Sequence, residues 1–257
     1  MIRFTIFVDG SNLSGSLNHL GLKVDDYEKF YDYIFRKAFD LWKNSVIGAP
    51  AQVRLNRILW YTIGTIDEWD LDDDKVKSQL SNWFNKNTLL KRNFSSRATN
   101  NSTHYIDPFS SFLDERKKWY ESKKKYVNGL HDFHFAVSSE SDFINIIPCG
   151  RLKVDIMNAS ISEKGLDTSL AVDMVALADT YDVALIISGD ADSIPSIEYV
   201  KRQGKHVVVA EFIKGYPPEE KGRQFSSKLK AVADLIVPIY EIDLKKEKVV
   251  NEPLKFS

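Results

Sequence analysis

The chain of 257 residues, 43% apolar and 28% charged, has the composition of a soluble globular protein with material for one large α/β domain, or one domain carrying a large insertion. Its net charge of −1, from 35 basic and 36 acidic residues, leaves open whether the charges are mixed or segregated. A lone cysteine, Cys149, excludes an internal disulfide and fits a reducing cytoplasm, and no apolar run approaches the roughly 20 residues that span a bilayer.

In chain order, Ile2–Val8 reads as a strand, apolar almost throughout, as expected for a parallel sheet covered on both faces. It stops at Asp9, Gly10, Ser11 and Asn12. A helix is expected over roughly 25–44, where Tyr27, Phe30, Tyr31, Ile34, Ala38 and Trp42 recur at helical spacing. Leu55–Ile63 is a second strand. The pattern then breaks: two charged helical pieces near Asp74–Asn85 and Phe109–Val127 flank a polar, loop-like link, Asn93–Pro108. Residues 65–150 therefore read as a largely helical insertion. Phe133–Val137 and Phe143–Val154 are strand candidates, with Pro148–Arg151 as a turn inside the second.

The last hundred residues alternate regularly. "KGLD" (Lys164–Asp167) opens a helix, Asp182–Ile187 is a strand running into "SGDAD" (Ser188–Asp192), and Ser193–Gly204 is a helix with proline in its first turn. Lys205–Phe212 is a strand, Phe225–Ala233 a helix, and Asp234–Ile239 the closing strand. Such alternation predicts a mainly parallel sheet between helices. The reading is thus one domain over 1–240, with the insertion at 65–150 and a charged, frayed tail over 241–257.

In an open parallel sheet, residues just past the carboxyl ends of the strands line the ligand crevice. That rule brings Asp9, Asp190 and Asp192 to one rim, joined by Asp167 if its helix starts on the same edge. Clustered carboxylates repel one another unless a cation compensates, and oxygen donors without histidine or cysteine suit Mg²⁺ or Mn²⁺ rather than zinc. Each aspartate could alternatively be a helix N-cap, but capping alone explains three junctions poorly. Gly10 permits a sharp exit from the strand, and Asn12 could orient a water or phosphate or cap the next segment.

Taken together, "FVDGSN", "KGLDTSLAVDM" and "LIISGDADSIPSIEYVKRQGKHVVV" resemble the NYN domain family, specifically its LabA-like branch, within the PIN-like nuclease superfamily. The resemblance covers about residues 2–63 and 152–240. It implies a PIN-like, Rossmannoid three-layer α/β/α fold and a metal-dependent endoribonuclease using Mg²⁺ or Mn²⁺. By motif, Asp9, Asp167, Asp190 and Asp192 are the expected catalytic and metal-binding acids, and Asn12, Lys164 and Ser188 the expected substrate contacts. Ser11 and Asp173 stand second to these; Asp173 lies about 240° round the helix from Asp167. Ser193 stands where the family often has an aromatic residue, and the insertion exceeds what the family core requires.

Within the insertion, "ERKKWYESKKKY" (Glu115–Tyr126) carries six Lys and Arg around Trp119 and Tyr120. Lys117, Lys118 and Lys124 could follow a phosphate backbone while the aromatics stack bases, or the segment could be a solvated amphipathic helix. His131 and His134, if on a strand, would face opposite sides and share no metal. A haloacid-dehalogenase-type phosphatase would want an acid at position 11, where serine stands. The expected partner is RNA, with no membrane, a cytoplasmic location, and an oligomeric state left open, a homodimer included. The alternative is a non-catalytic RNA- or nucleotide-binding regulatory module on the same fold.

Overall fold

In the computed structural model, which describes residues 1–46, 52–100, 107–215 and 225–252, the strands are β1 (Ile2–Asp9), β2 (Lys23–Val24), β3 (Val53–Ile66), β4 (Ile144–Asp155), β5 (Ser160–Lys164), β6 (Val183–Ile187), β7 (His206–Ile213), β8 (Leu235–Tyr240) and β9 (Val250–Asn251). The helices are α1 (Gly10–Leu20), α2 (Tyr27–Ser45), α3 (Asp74–Lys86), α4 (Thr88–Asn100), α5 (Pro108–Glu140), α6 (Leu166–Ala176), α7 (Ile194–Arg202), α8 (Ser227–Val232) and α9 (Glu241–Lys246). Seven strands form one sheet in the order β5-β4-β3-β1-β6-β7-β8. The β1–β3, β1–β6, β6–β7 and β7–β8 pairs are parallel, and β4–β5 is antiparallel. This is the expected mainly parallel α/β architecture.

The chain divides into two compact units: 1–62, 133–150 and 165–257 form the first, and 63–132 with 151–164 the second. In the first, β1, β6 and β7 are mostly apolar, and their two faces meet different layers of helices. Phe4, Ile6 and Val8 of β1 pack with Leu13 and Leu17 of α1 and Phe30, Ile34 and Trp42 of α2. Phe7 faces the other way, with Leu166, Leu170 and Met174 of α6, Ile197 of α7 and Leu229 of α8. Neighbouring strands repeat the alternation: Leu185 and Val208 join the first layer, Ile186 and Val209 the second.

The second unit has its own core, in which Leu80, Phe84, Phe94, Phe112, Tyr120 and Val154 are all buried. Four expectations fail on packing grounds. The polar link is helical as far as Asn100, anchored by buried Phe94, while 101–106 lie outside the described residues. Phe133–Val137 is not a strand but part of α5. Val127, His134 and Val137, which are buried, and half-buried Leu130 recur at helical spacing, and that stripe outweighs the β-preference of the phenylalanines. The argument from opposite strand faces therefore does not hold for the two histidines. His131 sits 3.0 Å from the Gly64 carbonyl, and His134 is buried in the first unit against Trp60.

Pro148–Arg151 is not a turn: it lies within β4, whose Leu152 and Val154 keep alternating into the interior. The tail is not frayed as far as Asn251. Leu244, Val249 and Val250 are buried, and β9 pairs antiparallel with β2. Residues 253–257 lie outside the described residues. No helix among the described residues is long and apolar enough to cross a membrane.

Candidate functional site

β1 lies between β3 and β6 and runs parallel to both, so the chain order reverses at β1. The register pairs Val8 with Ile187, which sets the next residues, Asp9 and Ser188, side by side at the carboxyl edge. Ser188 accordingly donates its hydroxyl to Asp9 Oδ2 at 3.2 Å.

Asp9 caps α1, a helix not foreseen because its sequence, GSNLSGSLNHL, is rich in weak helix formers. The available signal was the spacing of Leu13, Leu17 and Leu20 behind an acidic cap. Asp9 Oδ1 accepts from the Asn12 N–H at 2.9 Å, and Oδ2 from Asn12 Nδ2 at 2.6 Å. Asn12 Oδ1 in turn accepts from the Gly189 N–H at 3.2 Å, so one amide ties α1 to the loop after β6. Asp9 is buried, and burial pushes its carboxyl above the ordinary range, while hydrogen bonds from Asn12, Ser188 and the Ser11 backbone pull it back. Ser11 itself is exposed.

The same serine organises the acidic loop. Ser188 Oγ accepts from the Asp190 N–H at 3.2 Å, and Asp190 Oδ1 accepts from the Asp192 N–H at 3.3 Å. Gly165, at φ 90°, turns the chain into α6, where Leu166, Leu170 and Met174 face the core and Asp167 sits in the first turn. The carboxylate oxygens of Asp167, Asp190 and Asp192 then lie within 4.8 Å of one another. At such distances two unit charges in water repel by about 1 kcal/mol, which a bound cation would reverse. The donor set is all oxygen, so it fits a hard divalent ion. Asp9 is not in this triplet: it lies behind it, joined through Ser188.

Asp173 is also separate. Its Oδ2 accepts from the Tyr61 hydroxyl at 3.0 Å, a contact the sequence did not signal. Lys164 is exposed at the end of β5, paired in register with Arg151, within the second unit. In that unit, Lys117 is bonded to Asp72 at 2.6 Å and Lys124 to Glu121 at 3.0 Å, whereas Lys118 is exposed. Tyr120 is buried and Trp119 packs partly against the same core, while Tyr126 is exposed, so the segment is an amphipathic helix with two of its three aromatics turned inward.

Residues 121–240 match the NYN domain family. The NYN domain is a nuclease-like fold, and the match runs from within α5 to the end of β8. It includes Asp167, Asp190 and Asp192 but not Asp9 or Asn12. No curated protein matches the chain. A solved structure, a protein of unknown function from Vibrio parahaemolyticus, is similar over 93% of this chain and 94% of that one, at 16% identity and a TM-score of 0.46.

Proposed function

We propose that the protein is a divalent-metal-dependent endoribonuclease of the LabA-like branch, within the PIN-like superfamily, and that RNA reaches the edge where β1 and β6 end. The observation that carries this reading is the approach of Asp167, Asp190 and Asp192 to within 4.8 Å at that edge, in the region of the NYN match. These three residues would hold Mg²⁺ or Mn²⁺. When bound, such an ion supplies Lewis-acid stabilisation of the charge that builds on a phosphodiester during hydrolysis. Ser188 and Asn12 hold the acidic loop against β1, and Asp9 anchors both. Three carboxylates beside a polyanion also disfavour binding without a cation.

The test is cleavage of a pool of cellular RNAs with Mn²⁺, followed by sequencing of the ends. Wild type should produce new ends that vanish with EDTA and with Asp190→Asn; identical fragments from the variant would overturn the proposal. One observation favours a second reading, a non-catalytic RNA-binding module: Asp9 spends both oxygens on internal hydrogen bonds. RNA that is retarded in a gel yet never shortened, with either metal, would select it.

A further inference from the structure

The amino edge of the sheet carries a feature of opposite charge. A cleft of about 450 Å³ opens there, lined by Arg3, Thr5, Arg54, Asn56, Arg57 and Leu59, with Leu177, Asp179 and Thr180 completing the lining. Arg3 and Asp9 stand six residues apart on one strand, so roughly 20 Å separate the Arg3 end of this cleft from the carboxyl edge.

An irregularity in β3 builds the cleft. The register pairs Phe4 with Leu55 but Thr5 with Arg57, so Asn56 is an extra residue, a β-bulge. In a regular strand Arg54 and Arg57 would point to opposite faces. The bulge restores Arg57 to the face of Arg54, and Ile58 and Leu59 then resume the alternation between the two cores. Bulges commonly re-aim a side chain beside a functional site. Here both guanidinium groups end on the face that Arg3 and Thr5 share.

These cations are not equally committed. Arg3 is consumed: Nε and Nη2 bind Asp182 at 3.1 and 3.0 Å, and Nη1 binds the Asp179 carbonyl. Arg57 gives Nη1 to the Asp142 carbonyl at 2.8 Å. The Arg54 side chain makes no hydrogen bond or ion pair among the described residues. With Arg3 matched by Asp182, Arg54 and Arg57 against Asp179 leave a surplus of one positive charge on the lining. That surplus suits one phosphate better than a triphosphate. The guanidinium fork matches a phosphate's oxygens, the volume is that of a small-molecule site, and Leu59 and Leu177 supply an apolar wall.

We propose that this cleft binds a phosphomonoester of nucleotide size, its phosphate held by Arg54 and Arg57 and its organic part against Leu59 and Leu177. The site is independent of the acidic edge and of the chemistry proposed there. Isothermal titration of the full chain with AMP, glucose 6-phosphate, adenosine and inorganic phosphate tests it. At least one phosphomonoester should bind, and adenosine should not. Arg54→Gln with Arg57→Gln should weaken binding by about tenfold or more, the loss expected for charge-assisted hydrogen bonds, while Asp190→Asn leaves it unchanged. Should the double variant fold poorly, Arg54→Glu alone must give the same loss. The proposal is overturned if neither phosphomonoester binds at millimolar concentration, if adenosine binds as tightly as AMP, or if the arginine variants bind as tightly as wild type.

Discussion

Gly10 lies so close to Trp60 that a methyl group on its Cα would stand 2.5 Å from the indole Nε1 and 2.7 Å from the Tyr61 carbonyl oxygen. Both distances are shorter than carbon ever makes to such atoms. Alanine is ordinarily the better residue in a helix, by about 1 kcal/mol, and Gly10 opens α1. Here overpacking wins, because Trp60 is buried among Tyr27, Tyr31 and Phe133 and has no room to retreat. Gly10→Ala should therefore destabilise the protein by on the order of 1–2 kcal/mol. Urea unfolding checks this; an unchanged or raised midpoint would refute the steric account.

The acidic triplet makes a prediction that needs no substrate. An ion that binds only the folded chain raises stability by about 2.7 kcal/mol at a hundred times its dissociation constant, or roughly 5–10 °C for a chain of this size. Thermal unfolding with MnCl₂ should show such a rise, reversed by EDTA. Asp190→Asn keeps an oxygen for the Asp192 N–H and relieves repulsion within the triplet, so without metal it should unfold no lower than wild type, yet lose most of the rise. A full rise in this variant would exclude Asp190 as a ligand.

Several of these features were legible from residue order alone. The alternation of Phe4, Ile6 and Val8 against Phe7 cannot be read from a continuous apolar run, but the run itself signals a strand buried on both faces. The junctions at Asp9 and Asp190 followed, because parallel strands deliver their carboxyl ends to one edge. The relative placement of the acids was not legible. That Asp9 sits behind the triplet depends on where the Ser188 hydroxyl points, which is set by the Val8–Ile187 register. α1 escaped because packing of three leucines, not propensity, makes it helical. The end of α5 escaped for the opposite reason: local β-preference was overruled by a buried stripe.

Acid should weaken the pairing of Arg3 with Asp182. The Arg3 guanidinium hydrogen-bonded to Asp182 holds that carboxyl below its ordinary value of 3.8. In the unfolded chain Asp182 takes up its proton first as pH falls. Its stabilising contribution is therefore complete above about 3.8 and disappears as pH drops through the lowered folded value. Asp182→Asn should lose the same stability at every pH above about 5 and converge on wild type in acid. Urea midpoints measured from pH 3 to 8 test this, and a gap that widens in acid would contradict it.

The amide of Asn12 gives the sharpest sign. Its Nδ2 donates to Asp9 Oδ2 across 2.6 Å, in a place where Asp9 is buried. Asn12→Asp keeps the shape but replaces that donor with an acceptor, setting two carboxylates against each other. Only a proton shared between them restores the bond, so at least one folded-state pKa must lie above that of the unfolded chain. The folded variant then binds more protons than the unfolded one between those values, and its stability falls as pH rises. Relative to wild type, with EDTA present, Asn12→Asp should lose on the order of 2–4 kcal/mol at pH 8 and much less near pH 4. Ser188→Ala, which removes the uncharged partner of the same oxygen, should cost about 1–2 kcal/mol with far less pH dependence. If the two variants show the same pH profile, the close contact between Asn12 and Asp9 is not what holds the carboxyl edge together.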